Sequence, residues 1–184
     1  MKKILLLLLS FLFIIDVQAQ VGKKFPSISG ENYKDEVITI PQDTQSKYTL
    51  IGMAYSKKSE DELKTWFKPI YQTFISKSDK PSLFQEEVRD VNIYFLPMFT
   101  GVNQAAAGAA KKKMIQNFDK EILPHVVFYK GELKKYKEEL DFEKKDIPYF
   151  FLLNKEGKIV HASSGAYSNN KLEEILELLD EVQE

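Results

Sequence analysis

The chain has 184 residues, carries 26 basic and 27 acidic side chains, and has a formal net charge of −1. This balance predicts no broad basic face, so we expect no nucleic-acid partner. The chain contains no cysteine and can therefore form neither a thiolate nor a disulfide. Its length suits one domain whose core is large enough to fold without covalent cross-links.

The start of the chain has the pattern of a secretory signal peptide. Two lysines precede an apolar run over residues 4–15, which is shorter than the roughly 20 residues of a membrane-spanning helix. Asp16 interrupts the run, and small residues around Ala19 predict cleavage there, which leaves Gln20 or a close neighbour as the first residue. The alternative is a retained membrane anchor.

These signals predict residues 1–19 as a signal peptide and residues 20–184 as a single exported domain. No cysteine follows the apolar run, which argues against a lipid anchor, and no later segment is apolar enough to span a membrane. We expect the protein in the periplasm of a two-membrane bacterium, with secretion as the alternative.

Strand and helix patterns alternate along the rest of the chain. Runs of β-branched and aromatic residues predict strands, and apolar residues at steps of three and four predict helices. The predicted strands are residues 37–40, 49–55, 91–97, 125–129, 149–153 and 158–162, and the predicted helices begin near residues 59, 104 and 169. The charged stretch 132–146 leaves its local structure open. Strands separated by helices predict an α/β domain with a mixed sheet.

The first predicted helix carries two local signals. Ser59 with Glu62 three positions later predicts a capping box at the beginning of the helix. Pro69 lies inside the apolar stripe and should kink the helix, because proline lacks a backbone donor and crowds the preceding turn.

Two segments of the chain resemble known families. Residues 22–26 (Gly-Lys-Lys-Phe-Pro) are similar to the Gly-x-x-x-Pro entry of TlpA-like thioredoxins and peroxiredoxins, and residues 147–160 resemble the strand–turn–strand that carries a cis-proline in those families. The resemblance runs from Val21 to the C-terminal helix. It implies a thioredoxin-like α/β fold, with a mixed central sheet flanked by helices.

The resemblance also locates a degenerate redox motif. The run Ser56-Lys57-Lys58-Ser59, called here the Ser56–Ser59 motif, falls where these families have Cys-x-x-Cys, and Tyr55 falls where they often have tryptophan. A serine hydroxyl has the shape of a thiol but cannot exchange disulfides. Reductase, isomerase and thiol-peroxidase activities are therefore not supported.

Pro148 matches the cis-proline of these families. The match implies a cis Ile147–Pro148 bond that faces the Ser56–Ser59 motif and helps to bind an extended partner segment. This binding property does not require thiols.

A second resemblance points to assembly. Residues 62–71, together with 149–160 and 165–167, look like the mitochondrial ATP-synthase assembly-factor family, which has a thioredoxin-like fold. Its members act on a membrane subunit without needing a redox pair. The resemblance therefore implies contact with a membrane-protein complex as one option for the partner.

Catalytic and metal sites find little support in the sequence. We interpret Ser56 and Ser59 as helix caps rather than nucleophiles, because the adjacent lysines stay protonated near neutral pH and are poor bases. The two histidines have no triad-like context, and the acidic residues of 141–146 lack the glycine and spacing of a calcium loop. We expect no catalytic residue, no metal and no cofactor.

The sequence thus predicts a non-redox binding, chaperone or assembly module. Lysines near the beginning of a helix favour an acidic or carboxylate-bearing protein or peptide partner. A thiol-independent enzyme, or an accessory protein of an extracytoplasmic redox pathway, remains the alternative. The predicted groove residues are Tyr55, Ser56, Lys57, Lys58, Ser59, Ile147 and Pro148.

Overall fold

Two β-sheets carry the fold. The computed structural model describes residues 20–76 and 90–181, so the predicted signal peptide lies outside the described residues. A two-stranded antiparallel hairpin precedes a five-stranded sheet. The hairpin strands are β1 (Ile28–Glu31) and β2 (Val37–Ile40), and the sheet strands are β3 (Tyr48–Ala54), β4 (Val91–Thr100), β5 (Tyr129–Gly131), β6 (Tyr149–Leu153) and β7 (Ile159–Ser164).

The central sheet is mixed, as predicted. Its strand order is β5-β4-β3-β6-β7. Strands β3, β4 and β5 run parallel, while β6 is antiparallel to both β3 and β7. The carboxyl end of β3 therefore lies beside the amino end of β6, which brings the Ser56–Ser59 motif close to the segment before Tyr149.

Helices cover the sheet. They are α1 (Lys57–Leu63), α2 (Phe67–Ile70), α3 (Ala107–Asn117), α4 (Lys134–Leu140) and α5 (Asn169–Glu181). A 3-10 turn, Lys64–Trp66, separates α1 from α2, and a π-helical turn, Tyr71–Ile75, follows α2. The irregular hydrogen bonding around Pro69 fits the predicted kink, since proline cannot donate to the preceding turn.

Alternation along the strands builds two cores, one on each face of the sheet. Ile51 and Phe151 pack in the core beneath the β1–β2 hairpin, whereas Leu50 and Phe150 pack in the core under α1 and α5. Trp66 is fully buried in the second core, and its ring centroid lies 4.1 Å from that of Phe150. Because side chains of a strand point alternately to opposite faces, both faces of the central strands are apolar.

The segment predicted as a strand over residues 125–129 differs from the prediction. It begins as a 3-10 turn, Leu123–His125, touches β4 through a single bridge between Phe95 and Val126, and pairs regularly only from Tyr129. Phe128 instead exchanges two backbone hydrogen bonds with Glu31, at 2.8 and 3.0 Å. Part of the apolar run therefore pairs with the central sheet and part with the β1–β2 hairpin. A local sequence pattern cannot predict this division.

Candidate functional site

A reciprocal cap begins α1. Ser56 has an extended backbone, and its Oγ accepts a hydrogen bond from the Ser59 backbone N–H at 3.1 Å. Ser59 Oγ in turn accepts from the Ser56 backbone N–H at 2.9 Å. The prediction that Ser59 and Glu62 form the box was wrong. The helix begins three residues earlier, because the buried Ser59 side chain reaches back to the chain and takes the role predicted for a glutamate.

The two motif hydroxyls are also in contact with each other. Ser56 Oγ lies 3.1 Å from Ser59 Oγ and 3.2 Å from Asp146 Oδ1, and its single proton can serve only one of these acceptors at a time. Ser59 Oγ donates to the Ser56 carbonyl at 3.0 Å. Both hydroxyls thus stabilise the helix start, which confirms Ser56 as a cap, whereas Ser59 is its partner at the third helical position.

An aromatic stack positions the loop that covers the helix start. The Tyr55 hydroxyl donates to the Phe142 carbonyl at 2.9 Å, and the Phe142 ring stacks between Tyr55 and Tyr149 with centroid distances of 5.9 and 4.5 Å. The Tyr149 hydroxyl accepts from the Lys144 backbone N–H at 2.8 Å. Burial, with smaller effects of Tyr149 and Asp146, raises the pKa of Tyr55 to about 12, so this hydroxyl remains a donor at neutral pH.

Pro148 lies next to the motif, but the prediction of a cis bond was wrong. The cis peptide of the described residues is Ile40–Pro41, whereas the Ile147–Pro148 bond is trans. Pro148 is buried, its carbonyl accepts from the Gly165 backbone N–H at 2.8 Å, and Ile147 is half-buried. The two isomers of an X–Pro bond differ by only about 1 kcal/mol, so tertiary contacts rather than the dipeptide select one.

Lysines from three elements border the site. Lys57 and Lys58 are exposed on the first turn of α1, Lys145 is exposed on the loop, and the Lys137 Nζ of α4 lies 5.8 Å from the centre of the Tyr55 ring. This arrangement leaves a lysine-bordered surface around the buried Tyr55 ring.

Acidic residues on α1 moderate this charge, and Asp61 is the one that hydrogen-bonds to lysines. Asp61 Oδ1 accepts from Lys57 Nζ at 2.8 Å and from Lys64 Nζ at 2.9 Å. These hydrogen bonds lower the pKa of Asp61 to about 2 and raise the pKa of Lys57. Lys57 is therefore paired with Asp61 in its own helix, and Lys58 is the second cation of the motif.

The structure brings all seven predicted groove residues to one end of the sheet and adds three that the sequence analysis did not assign to the site. Asp146 was considered only as a calcium ligand, and Phe142 and Lys137 were not considered. Asp146 is separated from Ser56 by 90 positions, so only strand pairing makes them neighbours. Within residues 20–76 and 90–181, no group of His, Asp and Glu is arranged to hold a metal ion.

The histidines lie away from the motif. His125 Nδ1 contacts the Ile93 carbonyl at 3.1 Å, and His161 is buried in β7 with Nε2 3.9 Å from Glu174 Oε2. Neither ring is among the hydrogen-bonding partners of Ser56. The described part of the chain therefore offers the motif serines no histidine base.

The segments behind the second resemblance meet in space. Trp66 Nε1 donates to the Gly165 carbonyl at 3.1 Å, and the Trp66 and Tyr167 rings meet edge to face at 5.4 Å. The Tyr167 backbone N–H also donates to Thr65 Oγ1 at 2.9 Å. These contacts attach the segment before α5 to the 3-10 turn between α1 and α2. Membership of the assembly-factor family stays a prediction.

Comparison with known proteins identifies the fold through solved structures. No family model and no curated sequence matches the chain. A thiol:disulfide interchange protein from a Bacteroides species is similar over 78% of this chain and 80% of its own, with 19% identity and a TM-score of 0.51. A proposed thiol:disulfide interchange protein, DsbE from Chlorobium tepidum, covers 88% and 96% with 15% identity and a TM-score of 0.56.

BsSco, of the Sco family of cytochrome c oxidase assembly proteins, is similar over 86% of this chain and 92% of its own, with 11% identity and a TM-score of 0.53. At these identities the similarity establishes the fold alone. In the described ranges, no helix is both long and apolar enough to cross a bilayer. The chain has a thioredoxin-like fold that lacks the redox cysteines.

Proposed function

We propose that this protein is an exported, non-redox module that binds a protein or peptide segment at the surface between the beginning of α1 and the loop before β6. One observation carries the proposal. By the sequence resemblance, Ser56 and Ser59 stand where related families carry a redox pair, and in the structure their hydroxyls bond to each other and to the helix backbone. We infer that this surface binds a partner and that a helix cap stands where the resembling families carry their reactive centre.

Charge supports a partner that presents carboxylates. Lys58, Lys137 and Lys145 come from three different elements and border the same end of the sheet. A segment with acidic side chains would meet these cations from more than one direction. Exposed lysines act mainly through association rate and specificity, so binding should weaken as the salt concentration rises.

Partner capture with charge-reversed variants tests the proposal. The purified domain is cross-linked to periplasmic extract, and the captured proteins are identified. Lys57→Glu with Lys58→Glu should reduce capture of the native partners at least severalfold. Lys112→Glu with Lys113→Glu makes the same charge change on exposed residues of α3 and should leave capture unchanged. Equal capture by both double variants would contradict the proposed surface.

An insulin reduction assay tests the non-redox half of the proposal. The purified chain should give no turnover with dithiothreitol recycling beyond the buffer rate, because it has no thiol. Clear turnover by the purified chain would overturn a non-redox role.

A further inference from the structure

We propose that Gln20 becomes the first residue of the exported chain and cyclises to pyroglutamate. The inference rests on the export and the cleavage after Ala19 that are part of the proposed function. The unprotonated α-nitrogen of Gln20 attacks its own side-chain Cδ, a C–N bond forms, the Cδ–Nε2 bond breaks, and the proton lost by the α-nitrogen leaves with Nε2 as ammonia. The reaction needs no oxidant, reductant or second substrate, and its product is an uncharged lactam.

The structure holds Gln20 in place at the edge of the central sheet. The Gly22 backbone N–H donates to the Ile159 carbonyl at 2.8 Å, and the Ile159 backbone N–H donates to the Lys23 carbonyl at 2.9 Å. The Gln20 carbonyl accepts from the Lys23 backbone N–H at 3.1 Å. The segment that follows the predicted cleavage site is thus anchored to β7, and Gln20, still joined to Ala19, is 4% exposed.

A small cavity surrounds this position. It has a volume of about 90 Å³, and Gln20 lines it together with Ser163 and Ser164 of β7. Ser163 Oγ is buried and has no hydrogen-bond partner among the described residues. A polar atom without a partner therefore belongs to a residue that lines the same cavity as Gln20.

Electrostatics favours the lactam at this place. An α-ammonium group at a nearly buried position loses its water and destabilises the fold unless a carboxylate pairs with it. Cyclisation removes the charge and leaves an N–H and a carbonyl, both of which suit a serine hydroxyl. Burial does not prevent the reaction, because nucleophile and electrophile belong to the same residue.

Pairing of an uncyclised ammonium group is the competing arrangement. Asp141 and Glu143 also line the cavity and would supply the carboxylate. The two arrangements differ in covalent structure, so mass measurement separates them.

The experiment expresses the full chain in a two-membrane bacterium and measures the intact mass of the periplasmic protein. We expect residues 20–184, lighter by one ammonia, with an amino terminus that does not react with amine reagents. The mass of residues 20–184 with a reactive amine would overturn the cyclisation and leave export standing. A periplasmic protein whose mass includes residues 1–19 would overturn the cleavage after Ala19, and absence of the chain from the periplasm would overturn the export.

A matched variant assigns the ammonia loss. Gln20→Asn is one methylene shorter, and its ring closure would be strained, so the same cleavage should give a reactive amine and no ammonia loss. Loss of ammonia together with an unreactive amino terminus in this variant would contradict the assignment to Gln20. Pyroglutamate aminopeptidase should act on the heat-unfolded protein but not on the folded one, and release from the folded protein would contradict the buried position.

Discussion

The Ser56–Ser59 motif and strand β7 differ in how well their buried polar atoms are hydrogen-bonded. At the motif, each serine hydroxyl has several partners, and the buried Ser59 makes both a backbone and a side-chain contact. In β7, His161 Nε2 and Ser163 Oγ are buried without a hydrogen-bond partner among the described residues. The hydroxyls of the Ser56–Ser59 motif are thus the better hydrogen-bonded of the two groups, which is what a structural role requires.

Placing thiols at the two serine positions of the motif breaks this comparison most strongly. In the double variant Ser56→Cys with Ser59→Cys, we expect an intramolecular disulfide and a gain from no turnover to measurable insulin reduction. The hydroxyl oxygens already lie 3.1 Å apart, and the helix start lowers a thiol pKa. Thiol titration and the insulin assay measure the gain. Each single variant serves as control, and a double variant that keeps two free thiols under oxidising conditions would show that the geometry itself is lost.

Removing one hydroxyl from each region gives the next largest effect. Ser59→Ala should lower the free energy of unfolding by about 1–3 kcal/mol, because the Ser56 backbone N–H loses its acceptor inside the fold. His161→Leu should change it by less than about 1 kcal/mol near pH 8, since Nε2 has no partner to lose. Urea unfolding of both variants measures the difference. A larger loss for His161→Leu than for Ser59→Ala would reverse the comparison.

The pH dependence of stability sharpens the contrast. Burial lowers the pKa of His161, opposed by Glu174, and lowers the pKa of His125, opposed by its contact with the Ile93 carbonyl. The unfolded chain therefore binds more protons than the folded chain below about pH 6.5, so stability is full above that pH and falls as the pH drops toward the lowered folded values. Urea unfolding across this range should show a shallower decline for His161→Leu. Parallel curves would mean that His161 does not contribute.

The smallest effect is expected at Asp61. Asp61→Asn removes the carboxylate that pairs with Lys57 and Lys64 on an exposed helix face, so thermal unfolding should change little. Capture of acidic partners should stay equal or rise, because Lys57 loses its internal competitor. Reduced capture would indicate that Asp61 itself contacts the partner.

Local signals predicted most of the fold. Alternating apolar residues and turn residues predicted β3, which precedes the Ser56–Ser59 motif, and the hairpin of β6 and β7. Both patterns depend on a few neighbouring residues and can therefore be read from the sequence. The local structure of residues 132–146 could not be predicted, because the helix within it, Lys134–Leu140, buries only Tyr136 and Leu140 and shows little apolar periodicity. The capping partner at Ser59 was missed because a serine at the third helical position seldom takes that role.

The sequence by itself determined the loss of thiol chemistry, since the absence of cysteine does not depend on any arrangement in space. It also determined, through resemblance, the fold and the position of the motif within it. Only the tertiary structure decided which groups meet there: Asp146 beside Ser56, Phe142 against Tyr55, and a trans Ile147–Pro148 bond. These contacts join residues far apart in the chain, and the pairing of β3 with β6 is what brings them together.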